Sequence, residues 1–373
     1  MKIVILAGEV SGDNYGAFLA ENLKKIDRKI EIYGTGGKKM ESSGVEILER
    51  IPFGKMGYLG ILKDIRRYWF CYKSILKKIR KIKPDLIIFI DNPGFNLKIL
   101  KAIGKDIPSF YYIPPKIWAH NYSRIKILRF TKGVIPIFPF EVDIYRKENI
   151  PCYFFGHPVT DIIDFDCRKE EILNEIEIKD NIPVIGILPG SRKEEVEYLL
   201  PVFIRIIEIL KKKHNIQAVF SAVNGEISKI EKRIMRRFKV SYPIWEKSIY
   251  PFIKSSDLIL SASGTVNLEI ALLKKPFIVF YKTSPLNYLI AKSIVKLKFI
   301  SPVNIIFKRE IVPEFVQKIQ YKEVIDKIEG LLEKKKIFNQ QMEYFEKLKE
   351  ILKEKDVSER ISLFLVKECL RNI

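Results

Sequence analysis

Pro183-Val184-Ile185-Gly186-Ile187-Leu188-Pro189-Gly190-Ser191-Arg192-Lys193-Glu194-Glu195 decides the fold. An unbroken apolar run reads as a strand buried on both faces, and the Pro-Gly-Ser turn after it leads straight into a charged helix. The chain opens the same way, with Lys2-Ile3-Val4-Ile5-Leu6 running into Ala7-Gly8-Glu9-Val10-Ser11-Gly12-Asp13. Working outward from these two starts, short apolar runs recur at 2–6, 85–90, 108–113, 133–138, 183–188, 216–221, 257–262 and 276–281, with helix-like segments between them. Such alternation implies βα units and parallel sheets with both faces covered. The pattern breaks over 162–182, at Asp164-Phe165-Asp166-Cys167-Arg168 and a short charged helix. We therefore expect an α/β protein with one doubly wound domain over 1–165 and a second over 166–350. A C-terminal helix over 351–373 would be free to cross back to the first. Any ligand is expected between the carboxyl ends of the strands, in a cleft between the domains.

The length of 373 residues suits two domains at about 150 residues each, and a 47% hydrophobic content supplies large cores. Disorder is excluded as the main state. A net charge of +21 predicts a surface that attracts phosphate, whether on nucleotide, nucleic acid or anionic lipid. The four cysteines show no CxxC spacing and the three histidines, His120, His157 and His214, stand apart, so no metal cluster is visible by spacing. The N-terminal strand lacks the apolar core and cleavage site of a signal peptide. The longest run without a charged residue is 12, short of the ~20 a spanning helix needs. The expectation is a reducing, cytoplasmic compartment, with any membrane met from its surface.

Three constellations carry chemistry. Strand 85–90 ends in Asp91, followed by Asn92-Pro93-Gly94. A carboxylate beside apolar walls is disfavoured in its charged form, which suits a general base. The bland alternative is that Asp91 caps the helix beginning near Phe95. Glu9, at the first strand end, faces the same choice between cleft carboxylate and cap, and Ser11 or Asp13 can cap the helix that follows.

In the second half, Gly190, Ser191 and Arg192 form a strand-to-helix junction whose backbone N–H groups and guanidinium make a phosphate site. Ser263-Gly264-Thr265 repeats the design, with Glu269 one turn inside the helix to accept hydrogen bonds from ribose hydroxyls. Two such turns without a GKS or GKT lysine favour a nucleoside diphosphate carried as a leaving group.

The third constellation, over 58–81, interleaves Tyr58, Trp69, Phe70 and Tyr72 with Arg66, Arg67, Lys73 and further cations. A basic amphipathic helix rich in aromatics suits an anionic membrane surface. A core helix with a solvated basic face, or a single-strand nucleic-acid site, are the other readings.

Taken together and in order, several motifs closely resemble the lipid-A-disaccharide synthase family, glycosyltransferases of the GT-B fold: two Rossmann-like domains facing a cleft. They are AGEVSGD (7–13), GTGGKKMESSG (34–44), MGYLGIL (56–62), PDLIIFIDNPGFNL (84–97), PPKIWAHNYSRIK (114–126), FPFEVDIYRKENIPCYFFGHPVTD (138–161), LPGSRKEEVEYLLPVF (188–203), SGTVNLEIALLKKPFIVFYK (263–282), PVNII (302–306) and PEFVQ (313–317).

The resemblance implies inverting transfer of a 2,3-diacylglucosamine unit from UDP to the 6-hydroxyl of 2,3-diacylglucosamine 1-phosphate, giving the lipid A disaccharide 1-phosphate and UDP. No cofactor is implied. The partners implied are the two lipid substrates and an anionic membrane surface at the inner face of the inner membrane, with a homodimer as one option. By similarity Asp91 and Arg192 match residues needed for activity, and Glu9, Ser11, Asn304 and Gln317 match active-site motifs. Gly94, Lys116 and His120 depart from the common Asp, Ser and Trp.

Two rivals compete: another UDP-sugar enzyme of the same fold, such as a UDP-N-acetylglucosamine 2-epimerase, and a basic nucleic-acid-binding protein. The two small-residue turns give a more particular reason for the charge than nucleic acid does, so no nucleic-acid partner is expected.

Overall fold

The computed structural model describes residues 1–8, 10–50, 65–119, 121–167, 172, 175–176, 178–179, 181–294, 298–352 and 355–371. It divides into two compact units, one holding Met1–Asp161 and Ile294–Lys296 with the C-terminal stretch Lys353–Ile373, the other Ile162–Ser293 and Leu297–Leu352.

In the first unit six parallel strands run β1 (Lys2–Ala7), β2 (Glu31–Thr35), β3 (Glu46–Glu49), β4 (Leu86–Ile90), β5 (Ser109–Tyr112) and β6 (Gly133–Ile135). Their spatial order is β3-β2-β1-β4-β5-β6. The second unit repeats the plan with β7 (Val184–Leu188), β8 (Gln217–Ser221), β9 (Ile244–Trp245), β10 (Leu258–Ala262), β11 (Phe277–Tyr281) and β12 (Glu314–Val316), ordered β12-β11-β10-β7-β8-β9. Both are Rossmann-like sheets. In each, the first strand lies beside the fourth, and there the connections leave in opposite directions and open a crevice at the carboxyl edge. Register fixes which residues emerge at those crevices: Ala7 pairs with Ile90 in one sheet and Leu188 with Ser261 in the other.

The central strands are hydrophobic along their whole length because helices cover both faces. Ile3–Ala7, Ile87–Ile90, Leu258–Leu260 and Phe277–Phe280 are fully buried. Each such Ile or Phe stabilises the fold by about 1.5–3 kcal/mol before the ordering of the chain is subtracted.

The helices that matter below are α1 (Val10–Ile26), α2 (Lys38–Ser42), α3 (Ile65–Ile82), α4 (Pro93–Ile103), α5 (Lys193–Lys211), α6 (Val266–Leu272), α7 (Pro285–Ile294), α8 (Pro302–Phe307) and α9 (Val357–Leu370). The C-terminal helix α9 lies in the first unit. Asp161 Oδ1 and Oδ2 accept from the Val357 and Ser358 N–H groups at 3.1 and 2.7 Å, satisfying donors that a helix start leaves without intrahelical partners. Ser362 Oγ donates to the Leu19 carbonyl of α1, and the Phe364 ring lies 4.4 Å from that of Tyr153.

Candidate active site

The crevice of the first sheet lies where β1 and β4 end. Asp91 follows β4, is half-buried, and has φ 47; Asn92 follows at φ 43. Two consecutive left-handed non-glycine residues cost about 1–3 kcal/mol each and persist only where their surroundings hold them. Here the Asp91 N–H donates to the Tyr112 carbonyl at 3.1 Å. The Asp91 carbonyl accepts from Tyr111 Oη at 2.7 Å and from Asn96 Nδ2 at 2.9 Å. Asn96 is fully buried, and the same amide nitrogen reaches the Leu6 and Ile90 carbonyls, tying the ends of β1 and β4 together.

Gly8 completes the junction: a Cβ there would stand 1.8 Å from Asn92 Nδ2, so only glycine lets the two strand-end loops touch. The N-cap of α4 is Asn92, with no side-chain cap bond, and the helix starts at Pro93. Asp91 thus lies one residue outside the helix it was alternatively expected to cap.

Glu9 lies outside the described residues, as do Tyr58 and His120. Ser11 is half-buried in the first turn of α1. Asp13 does not cap α1, because that helix already begins at Val10. Its carboxylate instead takes the Gly37, Lys39 and Met40 N–H groups at 2.7, 3.2 and 3.1 Å, at the start of α2.

The crevice of the second sheet lies where β7 and β10 end, and both small-residue turns are there. After β7, Gly190 has φ 128, a region open to glycine, and Arg192 is the N-cap of α5. The carboxylate of Glu195, three residues on, folds back over this turn. Its Oε2 accepts from the Ser191 and Arg192 N–H groups at 3.0 and 3.3 Å, while Oε1 pairs with Arg192 Nη1 at 3.0 Å. A Cβ on Gly190 would sit 2.6 Å from Glu195 Cβ. The donors expected to cradle a phosphate therefore already hold an internal anion, in capping-box geometry.

After β10, the turn Ser263-Gly264-Thr265 is held from within by Asn267, fully buried on α6. Its Oδ1 accepts from the Gly264 N–H at 3.3 Å, and its Nδ2 donates to Ser261 Oγ and the Ala262 carbonyl at 3.0 and 3.1 Å. Ser263 Oγ is engaged with the Ile300 carbonyl. Thr265 is the N-cap of α6 without a side-chain cap bond, and a Cβ on Gly264 would meet nothing within 4 Å, so the turn is open to a close-approaching group. Glu269 lies half-buried one turn inside α6.

Gln317 follows β12 at φ 61 and clamps Thr283, the second residue after β11, with Oε1 taking its N–H at 3.2 Å and Nε2 reaching its carbonyl at 2.9 Å. Asn304, in α8, is fully buried and fully used: Nδ2 donates to the Val312 carbonyl and Glu314 Oε1, and Oδ1 accepts from the Ile311 and Val312 N–H groups. Its side-chain amide is thus engaged wholly within the protein. Burial pushes the Glu314 carboxyl above its ordinary range, against the Ile300 and Ser301 N–H groups that hold it at 2.9 and 2.8 Å.

Sequence reasoning missed four of these residues: Asn96, Asn267, Glu195 and Glu314. Asparagine is a poor helix interior residue, so an Asn one turn past a strand end was the available signal for the first two. The Arg-x-x-Glu spacing was the signal for Glu195. Among the described residues no group of three or more His, Cys, Asp or Glu is placed to hold a metal ion.

The profile described as lipid-A-disaccharide synthetase matches residues 3–365. The lipid-A-disaccharide synthase of Coxiella burnetii is 32% identical over 321 residues, covering 85% of this chain and 84% of its own. That of Trichlorobacter lovleyi is 31% identical over 323 residues, with 85% and 84% covered. Among solved structures, a UDP-GlcNAc 2-epimerase from Neisseria meningitidis bound to UDP-GlcNAc superposes with a TM-score of 0.62 at 16% identity, over 98% of this chain and 100% of that one. A glycosyltransferase from Rickettsia africae gives 0.60 at 14%, over 100% and 99%. The structural likeness establishes the GT-B fold, which epimerases and transferases share, and the sequence match separates them: the chain belongs to the lipid-A-disaccharide synthase family.

Proposed function

We propose that this chain is an inverting glycosyltransferase that joins UDP-2,3-diacylglucosamine to 2,3-diacylglucosamine 1-phosphate, forming the β-linked lipid A disaccharide 1-phosphate and releasing UDP. The observation that carries the reading is the family match across residues 3–365, with the family's motif residues standing at the carboxyl edges of both sheets.

Inversion needs in-line attack by the acceptor 6-hydroxyl, a base for its proton, and stabilisation of the departing diphosphate. Asp91 is the base, held on a strained backbone that Asn96 and Tyr111 brace. Arg192 and the start of α6 at Thr265 take the diphosphate charge, while Glu269 receives the ribose hydroxyls. Asn267, Asn304 and Gln317 hold the turns around that nucleotide. Ser11 serves the acceptor side with Asp91, and the family motif assigns Glu9 to the same side. The first unit is the acceptor unit and the second the UDP-sugar unit.

Membrane attachment at the cytoplasmic face is assigned to α3. Cys71, Ile75 and Ile79 bury one stripe of it in the core, as a core helix would. That stripe leaves Trp69 59% and Phe70 67% exposed, with Arg66, Arg67 and Lys73 exposed and the Lys73 ammonium 3.5 Å above the Trp69 ring. Large aromatics in water beside exposed cations suit headgroup depth. Among the described residues no helix is long and apolar enough to cross a membrane.

The test is incubation of the pure protein with both lipid substrates and mass spectrometry of the product. Disaccharide 1-phosphate is expected, and release of free N-acylated sugar or an epimer without disaccharide would overturn the reading.

A further inference from the structure

From Ile270 to Arg309 the sequence contains no acidic residue but has Lys274, Lys275, Lys282, Lys292, Lys296, Lys298, Lys308 and Arg309. In the middle of this stretch lies α7, and its Leu286 and Leu289 are 53% and 65% exposed. They lie three positions apart, so they stand on one helix face, and Lys292 continues that face one turn on, also exposed. Lys298 is exposed beyond the helix, its ammonium 5.3 Å from the Phe299 ring centroid.

The placement of this face in the fold is specific. Only Lys282, Thr283 and Ser284 separate β11 from α7, and Gln317 clamps Thr283. The helix therefore starts at the carboxyl edge of the second sheet, the edge that carries Gly190–Arg192 and Ser263–Thr265. Two leucines left in water are not explained by packing within the unit, and the exposed Lys292 and Lys298, in a stretch of chain without acidic residues, favour an anionic occupant over a basic one.

We propose that α7 is a docking surface for the anionic lipid bilayer, distinct from α3 and, up to Ser293, part of the other unit. Leu286 and Leu289 enter the headgroup and acyl boundary, and Lys292 with Lys298 lies against lipid phosphate. It presents a lipid-linked nucleotide at the edge where its diphosphate is held, and in this it rests on the reading that the donor is a lipid.

The experiment uses the full chain and vesicles of phosphatidylglycerol and phosphatidylethanolamine that contain no substrate, so that its outcome is independent of turnover. Leu286→Gln with Leu289→Gln should weaken flotation with these vesicles about tenfold or more, as should Lys292→Glu with Lys298→Glu. Leu363→Gln with Leu370→Gln, which removes equally exposed leucines from α9, should change nothing. In the wild-type protein, hydrogen exchange over 285–294 should slow on adding vesicles, which needs no variant. Turnover on detergent-dispersed substrates should survive in the leucine variant, and its loss in wild type as well would count against the transferase reading alone. Wild-type flotation of the leucine variant, unchanged exchange over 285–294, or equal binding to neutral phosphatidylcholine vesicles would overturn the proposal.

Discussion

Replacing Arg192 with alanine separates a ligand contact from a structural one. In the folded chain its guanidinium pairs with Glu195 at 3.0 Å, both side chains about a quarter exposed at 27% and 25%. An ion pair that open to water contributes about 0–1 kcal/mol to stability. The turn itself does not depend on the guanidinium, because Glu195 Oε2 is held by the main-chain N–H groups of Ser191 and residue 192, which alanine retains. The melting temperature should therefore move little. The contact with a diphosphate is a different case, since losing a charge-assisted pair costs about 1.5–3 kcal/mol, or about 10- to 150-fold in UDP affinity. Because the contact is present in ground and transition states, kcat/KM should fall by a similar factor.

Calorimetric titration with UDP at fixed salt, paired with thermal melting, reads both quantities. Glu195→Gln supplies the complementary test. It keeps an acceptor for the turn but removes the internal anion that competes for Arg192, so UDP affinity should rise by up to about fivefold, the equivalent of the ion pair. Wild-type UDP affinity in Arg192→Ala, with an unchanged melt, would refute the assignment of Arg192 to the diphosphate.

Asp91→Asn keeps the shape and tolerates the left-handed backbone at φ 47, so UDP affinity should persist while turnover drops about 10²- to 10⁴-fold. If that variant turns over normally and Glu9→Gln is inactive though folded, the two roles are exchanged. Arg66→Glu, Arg67→Glu and Lys73→Glu together should weaken the protein's flotation with anionic vesicles, and unaltered flotation would leave α3 a core helix only. Glu231 is fully buried, and burial, aided by the Glu246 charge and opposed by Lys232, pushes its carboxyl from 4.5 up to about 8. The folded state keeps this proton longer than the unfolded chain does. Its contribution to stability is complete below the unfolded value and declines by about 1.4 kcal/mol per pH unit as pH rises from 4.5 to 8. Denaturant melts of Glu231→Gln should lose that slope, and an identical pH profile in the two proteins would contradict a neutral buried carboxyl.

The apolar runs at 2–6 and 183–188, each closing on a glycine-bearing turn, were enough to read two parallel sheets, because a strand buried on both faces has no other way to satisfy its surface. The same local pattern placed Asp91, Gly190–Arg192 and Ser263–Thr265 at strand ends, since a turn after a parallel strand necessarily lies at the carboxyl edge. Charge and aromatic interleaving likewise pointed to α3 as a surface helix.

What stayed hidden was every partnership formed between segments distant in the chain. Asn96 reaches Leu6 across 90 residues, Asp13 caps α2 rather than its own helix, and Asp161 caps α9 across almost 200. Hydrogen-bond partners of this kind are chosen by which loops the sheet order brings together, and strand order has no local signature. Asn304 illustrates the difference: its motif marked it as a site residue, but only the folded chain shows both amide donors and both carbonyl lone pairs already spent on Val312, Glu314 and Ile311. Residue types and their spacing determined what chemistry each turn can offer. Tertiary packing decided which of those groups remain available to perform it, because a polar group withdrawn from water must find a partner wherever the fold supplies one.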